Sequence, residues 1–130
     1  MSRLALIVCL AVFAIGCGAD DGDDEQPASA PKLADLRVEV DPDGQGGKPA
    51  RTREIRCAAT GDSAVCARVA EVEPRDLQPP GDAIACTQQY GGPQTATITG
   101  TLRGEPVHLK LTRVNGCEIA RWRAAGALLQ

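Results

Sequence analysis

Aromatic side chains are almost missing from this chain: one Phe, one Tyr and one Trp make up 2% of its residues, and Phe13 falls inside an N-terminal apolar run. Only Tyr90 and Trp122 remain beyond it. With so few stacking side chains and no stripe of Lys and Arg, neither the platforms nor the basic groove of a nucleic-acid-binding protein can be built. Histidine is reduced to His108, which alternates with Val107 and Leu109 as a strand residue does, and past residue 31 the sole serine is Ser63. A serine hydrolase needs a nucleophile, a base and an orienting acid in mutual contact, and this inventory is too thin to supply them. Glycine-rich phosphate loops lead into helices. Here Gly44, Gly46 and Gly47 sit in "DPDGQGGKP" between strand-like runs and read as a flexible turn. Glu71, Glu73 and Glu118 are acids of the kind a glycosidase pairs, but solvated surface carboxylates are common and no pattern singles these out. The expectation is a protein that is not an enzyme and carries no cofactor.

What is present begins with "MSRLALIVCLAVFAIGC", where a single cation, Arg3, precedes an apolar run from Leu4 to Ile15. Such a run is too short for a comfortable membrane span and reads as a signal peptide over residues 1–16. It ends in Ala14-Ile15-Gly16-Cys17, which resembles a bacterial lipobox, so Cys17 is expected to become a lipidated N-terminus. Residues 17–31 follow as a tether of small residues, prolines and five acids between Asp20 and Glu25, with nothing apolar enough to fold. Of 14 basic and 17 acidic residues, setting aside Arg3 and those acids leaves 13 and 12, so the remainder is nearly neutral. The expected location is extracytoplasmic, lipid-anchored to the cell membrane or released to the envelope or extracellular space.

Residues 32–130 have the length of one small domain. So few large side chains bury limited apolar area, and small exported domains in that position rely on covalent bridges. With Cys9 in the signal segment and Cys17 assigned to lipid, Cys57, Cys66, Cys86 and Cys117 remain, an even number that reads as two disulfides in an oxidising compartment. Four cysteines allow three connectivities, and pairing of sequence neighbours is favoured. None of these sulfurs stands in a C-x2-C knuckle, so no zinc site is expected.

Period-two alternation dominates. "ADLRVEV", "TREIRCAA", "QTATITGTLR" and "EPVHLKLTRV" each read as half-buried antiparallel strands, the last two joined at Arg103-Gly104-Glu105 as a hairpin. The one helical candidate runs from about Ser63 to Val72, capped by Asp62 or Ser63, with Val65, Val69 and Val72 on one face and Pro74 halting it. The predicted fold is α+β: an antiparallel sheet with one main helix, room for a short second one, and two disulfides.

The order of these features resembles the subtilisin inhibitor-like family of bacterial serine protease inhibitors. The likeness runs through "ADLRVEV", "REIRC", "AVCARV", "CTQQY", "TATITGTLRGEPVHLKL" and above all "NGCEIARW", which is similar to that family's Asn-x-Cys-Glu signature. The resemblance implies the disulfides Cys57 with Cys66 and Cys86 with Cys117. It also implies a reactive loop of Cys86, Thr87, Gln88, Gln89 and Tyr90, with the bond attacked by the protease between Gln88 and Gln89. Asn115 and Glu118 are implied as loop support, although Asn115-Gly116 also reads as a tight turn and Glu118 as a surface acid facing water or pairing with Arg121. Trp122 reads as a core or dimer contact. The implied partners are a secreted serine protease, subtilisin-like or trypsin-like, and a second copy of the chain, since members of that family are commonly homodimers through the sheet. Gln88 stands where the family usually carries a large apolar or basic residue, Thr87 replaces a frequent proline, and "YGGP" holds an extra glycine. An alternative use of the same scaffold is a non-inhibitory, lipid-anchored surface module that binds an envelope partner.

Overall fold

Alternation of apolar and charged residues makes the first strand, β1 (Lys32–Asp41): Ala34, Leu36, Val38 and Val40 are buried while Arg37 and Glu39 point to solvent. The computed structural model describes residues 32–130; the expected signal peptide, the lipidated Cys17 and the tether lie outside the described residues. β1 is paired on one side with β2 (Arg51–Ala58) and on the other with β3 (Thr95–Leu102), which in turn pairs with β4 (Glu105–Leu111). All pairings are antiparallel, in the order β2-β1-β3-β4. The register sets Ile55 beside Leu36, and Val38 beside Ile98, which faces Leu109. One face of the sheet is therefore continuously apolar, while Glu54, Arg37, Thr97, His108 and Lys110 are exposed on the other. β3 and β4 are joined through Arg103 and Gly104, whose φ angles of 53° and 81° are the left-handed pair of a tight hairpin turn.

Three helices and a 3-10 turn at Pro74–Leu77 cover the apolar face. The expected helix between Cys57 and Cys86 is α1 (Ala64–Ala70); the Ser63 hydroxyl accepts from the Cys66 amide at 3.1 Å at its start. Val72 is buried but already beyond the last helical residue. The longer helix is α2 (Gly116–Ala124), followed by α3 (Gly126–Leu129). Helical periodicity does not announce α2, because of its two buried residues, Ile119 and Arg121, the second reads as surface in any hydrophobic pattern. Val69, Leu77, Ala125 and Leu128 close the core over the strands.

Both disulfides join neighbours in sequence order. Cys57–Cys66 links the end of β2 to α1 with a Cα separation of 5.5 Å, and Cys86–Cys117 links an irregular segment to the first turn of α2 at 5.4 Å. Two bridges in so small a fold fit an extracellular or otherwise oxidising environment. Among the described residues no helix is long and apolar enough to cross a membrane, and no cluster of His, Cys, Asp and Glu is set to hold a metal ion.

The glycine-rich connection from β1 to β2 is not the flexible turn that its composition suggests. Asp41 accepts from the amides of Asp43 (3.1 Å), Gly44 (3.0 Å) and Gly46 (3.0 Å), and Asp43 from those of Gln45 (3.1 Å) and Gly47 (3.3 Å). Desolvation pushes the Asp41 carboxyl up, but these hydrogen bonds together outweigh it and hold the group below the usual carboxylate range. A folded-state value below the unfolded one adds stability above the unfolded pKa, and that contribution is lost as pH falls through the folded value. The Gly44 and Gly46 amide signals in an acid titration by NMR are therefore expected to move with a midpoint below about 3.9, the ordinary aspartate value. A midpoint at or above that value would refute the assignment. The loop abuts the irregular segment: a Cβ placed on Gly44 would lie 2.1 Å from the Pro93 carbonyl oxygen.

Candidate functional site

Between Leu77 and Thr95 the backbone forms neither helix nor strand. Structureless stretches of that length inside small domains are uncommon and are usually either functional or disordered. This one is fastened. Cys86 is tied to Cys117. The Gly116 amide donates to the Thr87 carbonyl at 3.0 Å, and the Gly91 amide donates to the Arg113 carbonyl at 2.7 Å. The two hydrogen bonds run the segment antiparallel to residues 113–116 and leave Gln88, Gln89 and Tyr90 between them. All three are exposed, and none takes part in a hydrogen bond among the described residues.

Close approach at both anchors depends on glycine. A Cβ on Gly116 would sit 2.1 Å from the Thr87 hydroxyl oxygen, and one on Gly91 would sit 2.8 Å from Ile119 Cγ1. Glycine thus lets residue 116 lie against the Thr87 side chain and residue 91 against the Ile119 side chain, and Gln88, Gln89 and Tyr90 between them are left exposed. On the exit side, the Arg113 guanidinium donates to Gln94 Oε1 at 3.0 Å and lies 5.7 Å from the centre of the Trp122 ring, a cation–π distance. Trp122 is thus partly buried against the core and also serves the strip beneath the loop.

Asn115 and Glu118 flank Gly116 and Cys117, which hold the segment, and among the described residues neither forms a hydrogen bond to residues 86–90. The Asn115 side chain caps α2, accepting from the Glu118 amide at 2.9 Å; it sets the direction of the helix that carries Gly116 and Cys117. Glu118 turns inward, its two carboxylate oxygens accepting from Arg121 at 2.9 and 2.8 Å and one of them from Thr112 Oγ1 at 3.2 Å. Arg121, 8% exposed, also donates through Nε to the Leu77 carbonyl at 2.9 Å and through a terminal nitrogen to the Lys110 carbonyl at 3.4 Å. One buried guanidinium therefore joins the start of the irregular segment, the end of β4 and α2. Its role is not readable from "CEIARW" beyond the i, i+3 spacing of Glu118 and Arg121.

Exposure supplies a further mark that the sequence conceals. Among the described residues the exposed large apolar side chains are Ile84, Tyr90 and Val114, at 59%, 64% and 56%. Ile84 precedes Cys86, Tyr90 closes the exposed triplet, and Val114 lies in the strip between the two anchor points. Single exposed apolar side chains are ordinary on a protein surface, so the mark here is that Tyr90 stands within the displayed triplet and Val114 within the strip to which it is pinned. A separate concavity of about 500 Å³ is lined by Arg51, Gln94, Trp122 and Arg123 among others; it includes none of residues 86–91 and no acid or histidine to move a proton. Its cationic, amide-lined wall does not form a catalytic constellation with His108, which is exposed on the far face of the sheet.

The site is thus a displayed peptide rather than a pocket: a segment pinned by one covalent and two hydrogen-bonded anchors, with its central peptide bonds open to solvent. No protein-family model matches the chain, and no curated protein or solved structure matches it either.

Proposed function

We propose that this protein is an extracytoplasmic inhibitor of serine endopeptidases, presenting residues 86–90 to a protease cleft as a substrate that is cut very slowly. The observation that carries this reading is the exposure of Gln88, Gln89 and Tyr90 between anchors at Thr87 and Gly91. A peptide entering a cleft loses backbone freedom worth about 1–2 kcal/mol per residue. A segment already held by its scaffold has lost much of it beforehand, so more of the contact energy appears as affinity. The protease serine would attack the Gln88 carbonyl carbon. The amine released on Gln89 then stays close to the acyl group, because Cys86 is bonded to Cys117 on one side and Gly91 to the Arg113 carbonyl on the other. Re-formation of the peptide bond competes with hydrolysis, and the enzyme remains occupied. Lipidation at Cys17, with residues 17–31 as the tether, would hold this domain at a membrane face.

The direct test is titration of subtilisin and trypsin with the disulfide-intact protein, with intact mass followed in parallel. Stoichiometric loss of activity, with any slow cut between Gln88 and Gln89, is the expected result. Gln88→Met replaces a polar amide with an apolar chain of similar length and is expected to tighten subtilisin binding roughly tenfold to two-hundredfold, the range for a small apolar gain in a specificity pocket.

A second reading draws on Gln88 itself, which suits neither a basic-reading nor a strongly apolar specificity pocket, together with the exposed Ile84, Tyr90 and Val114. These features also suit a non-inhibitory module docking on an envelope protein. Under that reading neither protease is inhibited and Gln88→Met changes partner affinity by no more than about 0.5 kcal/mol, as for a peripheral surface position.

A further inference from the structure

The residue that would be released as a new N-terminus is a glutamine, and the structure leaves its side chain free. Gln89 is exposed, and among the described residues its amide forms no hydrogen bond. Only Tyr90 separates it from Gly91, whose amide is fixed to the Arg113 carbonyl at 2.7 Å. After a cut between Gln88 and Gln89, the amine is thus carried on a short stub with a carboxamide within reach.

Resting on the reactive bond proposed above, we propose that Gln89 is a self-modification site which converts the clipped protein to pyroglutamate and so makes inhibition self-terminating. The α-amine nitrogen of Gln89 attacks its own Cδ; a lactam N–C bond forms, the Cδ–Nε2 bond breaks, and the nitrogen departs as ammonia after proton transfer from the attacking amine. No oxidant or co-reactant takes part. Joining the reacting groups in one residue gives the step the advantage of intramolecular reactions, and it proceeds from the unprotonated amine, whose ordinary pKa is about 7.7–8.0.

The consequence lies in the competition between two fates of one amine. As a free amine it can re-form the bond to Gln88 and restore the intact inhibitor. As a lactam nitrogen it has no basic lone pair to offer, and the clipped chain cannot be rejoined although both disulfides still hold it together. The same anchors that keep the amine poised for rejoining leave the Gln89 side chain unrestrained, so each excursion to the clipped state carries a chance of permanent retirement. A branched apolar residue at this position has no such exit.

The test uses the disulfide-intact protein and Gln89→Val. Each is incubated with a catalytic amount of subtilisin, and in parallel trypsin, until the clipped fraction is constant. The protease is inactivated, the product is held near pH 8, about the ordinary α-amino pKa, and samples are reduced and weighed. The fragment beginning at Gln89 is expected to lose the mass of one ammonia progressively. Fresh protease is expected to re-form the bond in aged samples only in proportion to the fragment still unmodified, while the Gln89→Val fragment keeps its mass and is rejoined to the same extent before and after ageing, whatever that extent is. A Gln89 fragment that keeps its mass while rejoining continues undiminished overturns the self-modification, and lactam formation without loss of rejoining overturns the self-termination; either result leaves the reactive bond standing. Failure of both proteases to cut between Gln88 and Gln89 overturns the reactive bond itself and the modification with it.

Discussion

Arg121→Ala is expected to lower the stability of the folded protein by about 3–5 kcal/mol, the range for removing one partner of a buried ion pair. The magnitude follows from what is left behind. The Arg121 and Glu118 side chains are 9% and 15% exposed, and the guanidinium supplies the carboxylate with two hydrogen bonds while also serving the Leu77 and Lys110 carbonyls. Alanine leaves a partly buried acid with only Thr112 Oγ1 as a donor among the described residues and removes the side chain that donates to the Leu77 carbonyl. Against a total of about 5–15 kcal/mol for a domain, this is a large fraction. The check is urea unfolding with disulfides intact, in which the midpoint falls and the slope stays constant. Arg121→Lys keeps the charge but not the planar fork and is expected to fall between. Replacing both partners, as Glu118→Leu with Arg121→Met, is expected to cost far less than Arg121→Ala, because neither charge then remains buried. A loss under about 1 kcal/mol for Arg121→Ala would mean that water reaches Glu118 and that the pair behaves as a surface contact.

Removing the bridge between Cys86 and Cys117, as the double serine variant, is expected to cost about 3–4 kcal/mol and to turn the proposed inhibitor into an ordinary substrate. The stability figure comes from the loop-closure model for a sequence separation of 31. The functional loss has a separate cause. Without the bridge, the chain ending at Gln88 is held to α2 through the Gly116–Thr87 hydrogen bond, an interaction with a net value of only about 0.5–1.5 kcal/mol. After a cut, the acyl side and the new amine separate, and hydrolysis outruns rejoining. Mass spectrometry with subtilisin is expected to show rapid accumulation of the 88–89 cut and recovery of protease activity. The bridge between Cys57 and Cys66 is the contrast: its separation of 9 predicts about 2–3 kcal/mol, and its position at the β2–α1 junction is away from the displayed segment. Its double serine variant is expected to be less stable yet to inhibit normally while folded. Equal functional loss in both variants would show that global stability, rather than local tethering, governs the site.

Much of this architecture is legible in local pattern. The alternation in "ADLRVEV" and "EPVHLKL" predicts β1 and β4 because a strand repeats every two residues and the buried face follows directly. Ser63 before Val65 and Val69 predicts α1 for the same kind of reason: a cap and an apolar stripe are properties of a few consecutive residues. The Arg103-Gly104 turn is equally local. The glycine-rich connection after β1 shows where composition misleads, since Asp41 and Asp43 spend their carboxylates on the very amides that glycine leaves accessible.

The sequence by itself determined the strands, the first helix, the number of cysteines available for bridging and the polar triplet at Gln88, Gln89 and Tyr90, because each depends on neighbours along the chain. Only the tertiary structure decided the sheet order, the burial of Arg121, the inward turn of Glu118, the assignment of Asn115 to a helix cap, and the exposure of Ile84, Tyr90 and Val114 at the surface. It also decided that Gly116 and Gly91 would be the anchor points, since the distances from Gly116 to Thr87 and from Gly91 to Arg113 and Ile119 exist only once α2 has packed against the sheet. The physical reason is common to all of these: a contact between residues distant in sequence leaves no periodicity in the sequence around either partner, and a charged side chain that is buried reads, until its partners are placed, as one that faces water.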